Sequence, residues 1–555
     1  MKFFRSAAAL TLAAALCALL LAGCGRQETG TSLSVCLGAA PETLDPALAT
    51  ATADVTVVEH LYENLMRVTT AASGGTAVTQ GAARSYDTAE AYDGSVTYTF
   101  RLRDARWSDG RKVTADDFVY AWQRLAAMDS PNAEMLSMVR GYAAVHAGGD
   151  PTGLGVTAKN DSTLVVELTG QCSWFLSDVC TAAATMPLRR DLVEPETAGA
   201  AADGGTAESG AAASGWNPDE PVTNGPYCVS SRNARSLTLT ANSRYDGKQT
   251  GPEKLSFVFA SSAEEAWALY EAGTVAFVTP LPEEQYLELE KEGKPATATL
   301  PATETVLFNA SAEVTNDPLV RRALSLAADR TALSAAAGAA AVPAAALVPD
   351  GIRETADTDF RESGGEQIAC DAEGYAGRCA EAASLLEQSG YSSWNFPETE
   401  LLYADGGTSA AVAQALVKMW KDALGVNVTA RGVTQSELDA ALRDGSYTLA
   451  LTALTGSYCD AESFLGRWTS KNPDNVLHYA NSAYDTLLAV INSASDEQAR
   501  QGCLHDAESL LLEDNALAPL YFTRTAWAAS SHYLGICRDA RGWFWFGSAV
   551  ENPNG

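Results

Sequence analysis

VTYTFRLRDARWSDGRKVTADDFVYAWQRL, residues 96–125, contains a strand, a turn and a helix in succession. Val96 to Leu102 alternates apolar and polar side chains, the pattern of a strand with one buried face. Asp93-Gly94 before it is a hairpin turn signal. Ser108-Asp109-Gly110 carries the chemistry of a second turn. Thr114 is a good N-cap, and Asp117 three residues later completes a capping-box-like start. Asp116 and Asp117 then fall in the first helical turn, where the helix dipole favours negative charge. Phe118, Trp122 and Leu125 follow at spacings of four and three, a stripe for burial. The acidic pair therefore has capping and solvation to do, and catalysis is not needed to explain it.

The same alternation of strands and helices extends in both directions. Ser32 to Leu37 reads as a first strand. Asp54 to Met66 places Val55, Val58, Leu61 and Leu65 on one helical face. Glu194 to Gly215 is rich in Ala, Gly, Ser and Thr and reads as a flexible surface loop. Ala335 to Ala346 is Ala-rich and permits helix, although Gly338 and Pro343 interrupt it. Ala410 to Leu424 is a helix with Val412, Leu416, Met419 and Trp420 on one side, stopped by Gly425 and followed by a strand from Val426 to Ala430. Leu504, Ala507, Leu510 and Leu511 mark another helix, and Gly542 to Phe546 (GWFWF) an aromatic strand. The whole is mixed α/β. With 555 residues the chain exceeds one ordinary core, so two or three domains are expected.

The N-terminus reads as a targeting segment. Lys2 and Arg5 precede an apolar run from Ala7 to Ala22, too short for a membrane span and laid out as a secretory signal. Leu21-Ala22-Gly23-Cys24 resembles a bacterial lipobox, which makes Cys24 the lipidation site. Two acyl chains suffice for stable anchoring. Residues 1–23 are then the signal peptide and 24–31 a polar tether. No later stretch is apolar enough to span a membrane. The formal charge of −31 repels nucleic-acid phosphates and argues against a nucleic-acid role. Of eleven cysteines, Cys17 leaves with the signal and Cys24 takes the lipid, leaving nine. Cys172 and Cys180, or Cys370 and Cys379, are near enough in sequence to bridge in an oxidising exterior; free thiols are equally compatible.

Enzyme signatures are missing. There is no Gly-x-Ser-x-Gly elbow and no phosphate-binding Gly-x4-Gly-Lys-Ser/Thr loop. The five histidines, His60, His146, His478, His505 and His532, are too far apart for a zinc-helix signature. No cofactor and no metal is expected.

A series of segments resembles family 5 of the extracellular solute-binding proteins, the oligopeptide- and dipeptide-binding components of ABC importers. In order they are Pro41-Glu42-Thr43-Leu44-Asp45-Pro46, Leu61-Tyr62-Glu63-Asn64-Leu65, Tyr98 to Arg103, Trp107-Ser108-Asp109-Gly110 and Val113 to Phe118. Later come Thr223-Asn224-Gly225-Pro226-Tyr227, Asn316 to Leu324, Leu424-Gly425-Val426-Asn427-Val428 and the aromatic C-terminal strand. The resemblance implies a two-lobed periplasmic-binding-protein-like α/β fold with an extra third domain, a hinge and an interlobe cleft. Lobe I is expected from residues 32–60, 182–299 and 523–555, the extra domain from 61–181 and lobe II from 300–522. It further implies a monomeric receptor, lipid-anchored outside the cytoplasmic membrane, that closes on a peptide and docks on a permease and ATPase complex.

The expected site departs from the family pattern. In many peptide-binding members a second-lobe aspartate pairs with the peptide α-ammonium, and the matching position here is Ser457, which brings no charge. Leu454 replaces a frequent tryptophan, Ala461 a proline, and Leu307 falls where some relatives carry glutamate. Asp460 could substitute for the aspartate, or match a structural acidic residue. Thr50 and Thr52 could bond an extended ligand by strand addition or cap the following helix. Asn132 falls near the cleft, Trp420 could wall a pocket or pack in the core, and Tyr458 could stack on a ligand or anchor its loop. A nickel chelate, an opine-like compound or a glycan is the alternative ligand, and a sensor lipoprotein without transport an alternative role.

Overall fold

A computed structural model describes residues 31–554, apart from 71–75, 173, 195–219, 248–250, 293–295, 356–357, 457, 492–493 and 495. The signal and tether, Cys24, most of the low-complexity segment and Ser457 lie outside the described residues.

The opening stretch folds as its pattern requires. Val96–Leu102 is a strand whose side chains alternate strictly between buried and half-buried. It is central in a four-stranded antiparallel sheet with Ala83–Glu90, Thr163–Leu168 and Val156–Asn160. The helix Ala115–Ala127 packs on this sheet with Phe118, Trp122 and Leu125 fully buried. Asp117 accepts from the Thr114 backbone N–H at 2.8 Å and from Trp107 Nε1 at 3.2 Å, while Asp116 is exposed. The two carboxylates are a cap and a solvated neighbour.

A second, eleven-stranded sheet runs through both lobes of this α/β protein. At one end Ser32–Cys36 pairs in parallel with Lys254–Val258 and Phe277–Val278, and Ser236–Ala241 and Tyr227–Asn233 extend the edge. At the other end Thr399–Ala404 lies parallel to both Val428–Val433 and Leu449–Thr455. Two long antiparallel strands, Ala296–Phe308 and Leu517–Ala529, join the ends. Their register breaks between Thr299 and Thr303, close to the expected crossing between lobes. One apolar core unites the first end with the four-stranded sheet. Two others fill opposite faces of the second end.

Several element boundaries differ from expectation. The first helix covers Thr52–Leu61 and stops before Met66, which opens the strand Met66–Thr70. Tertiary hydrogen bonds pull the chain out of the helix. Asn224 accepts from Glu63 N–H at 3.0 Å and donates to Glu63 O at 2.9 Å, and Asn64 Nδ2 donates to Ala182 O at 2.8 Å. Gly225 N–H donates to Leu61 O at 2.9 Å, and a Cβ on Gly225 would stand 2.6 Å from that carbonyl. The Ala-rich segment is helical only over Arg330–Ala337; Gly338, at φ +112°, ends the helix, and Ala341–Pro343 pairs as a short strand with Leu517–Ala529. The helix Ser409–Leu424 ends on Gly425 in the left-handed conformation, and its strand runs later than expected, over Val428–Val433. No disulfide joins the nine cysteines of the described residues.

Candidate functional site

The candidate cleft is built by loops at the strand ends of the two lobes. On the first side Asp45 organises the chain. Its carboxylate accepts from Arg124 at 3.0 and 2.6 Å and from Ala47 N–H at 3.1 Å. Ala47 O accepts from Ser130 Oγ at 2.7 Å, and Asn132 Nδ2 donates to Ala49 O at 3.0 Å and Ala47 O at 3.3 Å. The Asn132 amide is thus committed to shaping the 47–49 turn. The loop then presents Leu48 and Thr50 to solvent. Thr52 begins the first helix, whose N-cap is Ala51 with no side-chain cap, so neither threonine is used as a cap. Among the described residues no hydrogen bond reaches the Thr50 backbone groups.

On the second side, the parallel strands Thr399–Ala404, Val428–Val433 and Leu449–Thr455 end at one edge. Ala453 and Thr455 are exposed there. Gly456 N–H then donates to Pro301 O at 2.8 Å, tying this edge to the interlobe crossing.

Beyond Gly456 the chain meets residues 134–178. Tyr458, 4% exposed, stacks on Trp174 with ring centroids 3.7 Å apart and planes 12° from parallel. Cys459 N–H donates to Asp178 Oδ1 at 2.7 Å. Arg467 Nη2 lies 3.4 Å from Glu134 Oε2. Asp178 is buried, and its carboxyl is pushed above the usual range by loss of solvent, opposed by the charge of Arg541. Arg541 also donates to the Asp178 carbonyl at 3.1 Å. These contacts join the 458–467 segment to residues 134–178.

The remaining expected residues have other partners. Asp460 receives both Arg500 Nη1 and Nη2, at 2.9 and 2.8 Å, and accepts from Glu462 N–H at 2.9 Å. Arg500 Nη2 also bonds Glu462 at 2.7 Å. With three of its roughly four acceptor sites taken and its charge met by Arg500, Asp460 serves a structural role. Trp420 is 1% exposed in a second-lobe core, and its Nε1 donates to Leu324 O at 2.8 Å; its ring is taken up by packing and walls no open pocket. Ser457 precedes the stacked Tyr458 and is outside the described residues. Trp174, Asp178, Glu134 and Arg467 carry no sequence signal, because each is defined only by a partner far along the chain.

No group of three or more His, Cys, Asp or Glu side chains is placed to hold a metal ion among the described residues. In the same residues no helix is long and apolar enough to cross a membrane.

Residues 77–475 match the model of the "Bacterial extracellular solute-binding proteins, family 5 Middle". The chain is 28% identical to the periplasmic murein peptide-binding protein MppA of Escherichia coli over 87% of its own length and 86% of the relative's. It is 29% identical, over the same shares, to the probable deoxycholate-binding periplasmic protein YgiS of E. coli. Among solved structures it superposes on Haemophilus influenzae OppA in complex with RPPGFSPFR with a TM-score of 0.74. That match has 26% identity and covers 95% of this chain and 100% of the other.

Proposed function

From the premise that the chain belongs to the bacterial extracellular solute-binding proteins of family 5, we propose that it captures peptides by lobe closure and delivers them to an ABC permease and ATPase complex. The observation that carries the peptide reading is exposed backbone free to pair. Thr50 is exposed and its backbone receives no hydrogen bond among the described residues, and Ala453 and Thr455 are exposed at the end of their strand. An extended peptide satisfies such backbone by strand addition whatever its sequence. The names of MppA and of the OppA complex support the same ligand class. Closure is driven by the ligand's greater affinity for the closed form.

The division that goes with this reading keeps 32–60, 182–299 and 523–555 in the first lobe, 61–181 as an extra domain packed on it, and 300–522 in the second. Thr50 and Thr52 line the cleft, Asn132 shapes it, and Ser457 and Tyr458 close it. The receptor works as a monomer, anchored through Cys24 outside the cytoplasmic membrane, and binds rather than transforms its solute.

One observation favours a second reading. The likeness to a probable deoxycholate-binding protein, together with the uncharged Ser457, suits a non-peptide solute. Native mass spectrometry of the domain from residue 25 onward separates the two. Denaturation that releases peptides of a narrow length range supports peptide capture. An empty protein whose melting temperature no peptide library raises overturns it.

A further inference from the structure

We infer that Glu304 is the counter-ion for a cationic group of the bound solute, an ammonium or a guanidinium, held at the hinge end of the cleft; this rests on the reading of the cleft as a peptide site. Glu304 stands on the long strand Ala296–Phe308, one residue beyond the point at Thr303 where pairing resumes after the crossing. Its cross-strand neighbours are Ala453 and Tyr521.

The two faces of this strand differ. Thr303 and Thr305 are fully buried on one, where the Thr303 hydroxyl donates to Leu347 O at 2.7 Å. Alternation places Glu304 on the other, in line with Ala302 and Val306. Inward, that face is sealed by Val306, Phe308, Leu451 and Tyr521. Outward it opens past Ala302 to Ala453 and Thr455, both exposed, at the strand edge that borders the cleft. The small side chains at 302 and 453 flank the half-buried Glu304 and leave it reachable from solvent. Tyr521, beside it, is hydrogen-bonded to Thr408 at the start of the helix Ser409–Leu424.

This carboxylate, like Glu59 and unlike most buried acids of the described residues, lacks company. Glu63, Asp460 and Glu508 are each met by arginine, and Asp178 accepts from Cys459 N–H. Among the described residues no donor and no cation reaches the Glu304 side chain. Loss of solvent alone pushes its carboxyl up to about 7. A lone acid in such a place is a standing cost in the empty protein, and a ligand cation would remove it.

The test is calorimetric titration at pH 8 of the wild type, Glu304→Gln and Glu304→Asp. The probes are a defined tripeptide pool with free termini, the same pool N-acetylated, and both pools with lysine replaced by norleucine. The wild type is expected to bind a cation-bearing pool at least tenfold more tightly than its uncharged counterpart. Glu304→Gln is expected to erase that preference while binding the uncharged pool as before, and Glu304→Asp to retain it. Sensitivity to acetylation assigns the α-ammonium, and sensitivity to norleucine a side chain. A ligand-free melting temperature of Glu304→Gln at or above that of the wild type supports an unpaired acid and verifies folding. A wild type without the preference, or a Glu304→Gln that keeps it, overturns the inference and leaves peptide capture standing. Failure of every pool to bind overturns peptide capture itself, and the inference with it.

Discussion

Trp174 and Tyr458, far apart in the chain, lie face to face, and Tyr458 is buried. In the proposed scheme the stack forms when the cleft shuts, so its stabilisation belongs to closure. An aromatic pair contributes about 1 kcal/mol beyond its buried area, so Tyr458→Ala is expected to weaken solute binding about five-fold. Small-angle scattering of the ligand-free variant should show a larger radius of gyration than the wild type. An unchanged radius and affinity would assign the stack to loop anchoring alone.

His60 and Glu59 predict opposite responses to pH. His60 is buried in the first helix, its Nδ1 bonded to Thr56 O at 2.6 Å and its Nε2 accepting from Phe546 N–H at 3.0 Å. That arrangement requires the neutral ring, and burial lowers its pKa from 6.5 to about 4. Its contribution is present above 6.5 and is lost as the pH falls through about 4. Burial raises Glu59 from 4.5 to about 8. Its contribution is present below 4.5 and is lost as the pH rises through about 8. The two trends oppose each other between 4.5 and 6.5. Denaturation curves should show Glu59→Gln more stable than the wild type at pH 8 by a few kcal/mol, the buried acid losing about 1.4 kcal/mol for each pH unit climbed above its unfolded pKa. His60→Gln should flatten the loss below pH 6.5.

Arg500 is held by Asp460 and Glu462, with all three side chains largely withdrawn from solvent. Arg500→Leu leaves two carboxylates facing each other. Breaking a buried pair on one side costs about 3–5 kcal/mol, so a clear drop in melting temperature is expected. Solute affinity measured well below that temperature should stay within about two-fold, because the cluster is structural. A large loss of affinity with normal stability would return Asp460 to the site.

Cys24 governs location in the proposed scheme. Cys24→Ser is expected to move the protein from the membrane fraction to the soluble one. Intact-mass analysis of the wild type should show a chain beginning at Cys24 with added acyl mass. A soluble wild type of unmodified mass would remove the anchor from the scheme.

Legibility in the sequence follows the range of the forces involved. The strand Val96–Leu102 and the Thr114–Asp117 cap are set by near neighbours, and both are found where the pattern puts them. The early end of the first helix depends on Asn224, far along the chain, and no window around Leu61 contains that fact. The Ala-rich segment shows the same limit, since its strand is defined by pairing with Leu517–Ala529. In the cleft, resemblance alone puts Asn132 near the loop that it shapes. The alternatives open for Asp460 and Trp420 are decided by Arg500 and Leu324 O, partners that spacing cannot reveal. Glu304 reads as any strand glutamate until its cross-strand neighbours are known to be alanine and tyrosine.

The joining of both lobes by the last long strand bears on how the protein is made. Val278 pairs with Ala528, Tyr533 donates to Ser32 O, and Phe544 N–H bonds Thr56 Oγ1. The earliest residues therefore find their final partners only after nearly the entire polypeptide has been synthesised. Contacts of such sequence separation form late and slowly. A nascent chain emerging from the ribosome stays without a finished first lobe until its final segment arrives. In the proposed export scheme that delay keeps it threadable through a narrow translocation pore, with folding left to the far side of the membrane.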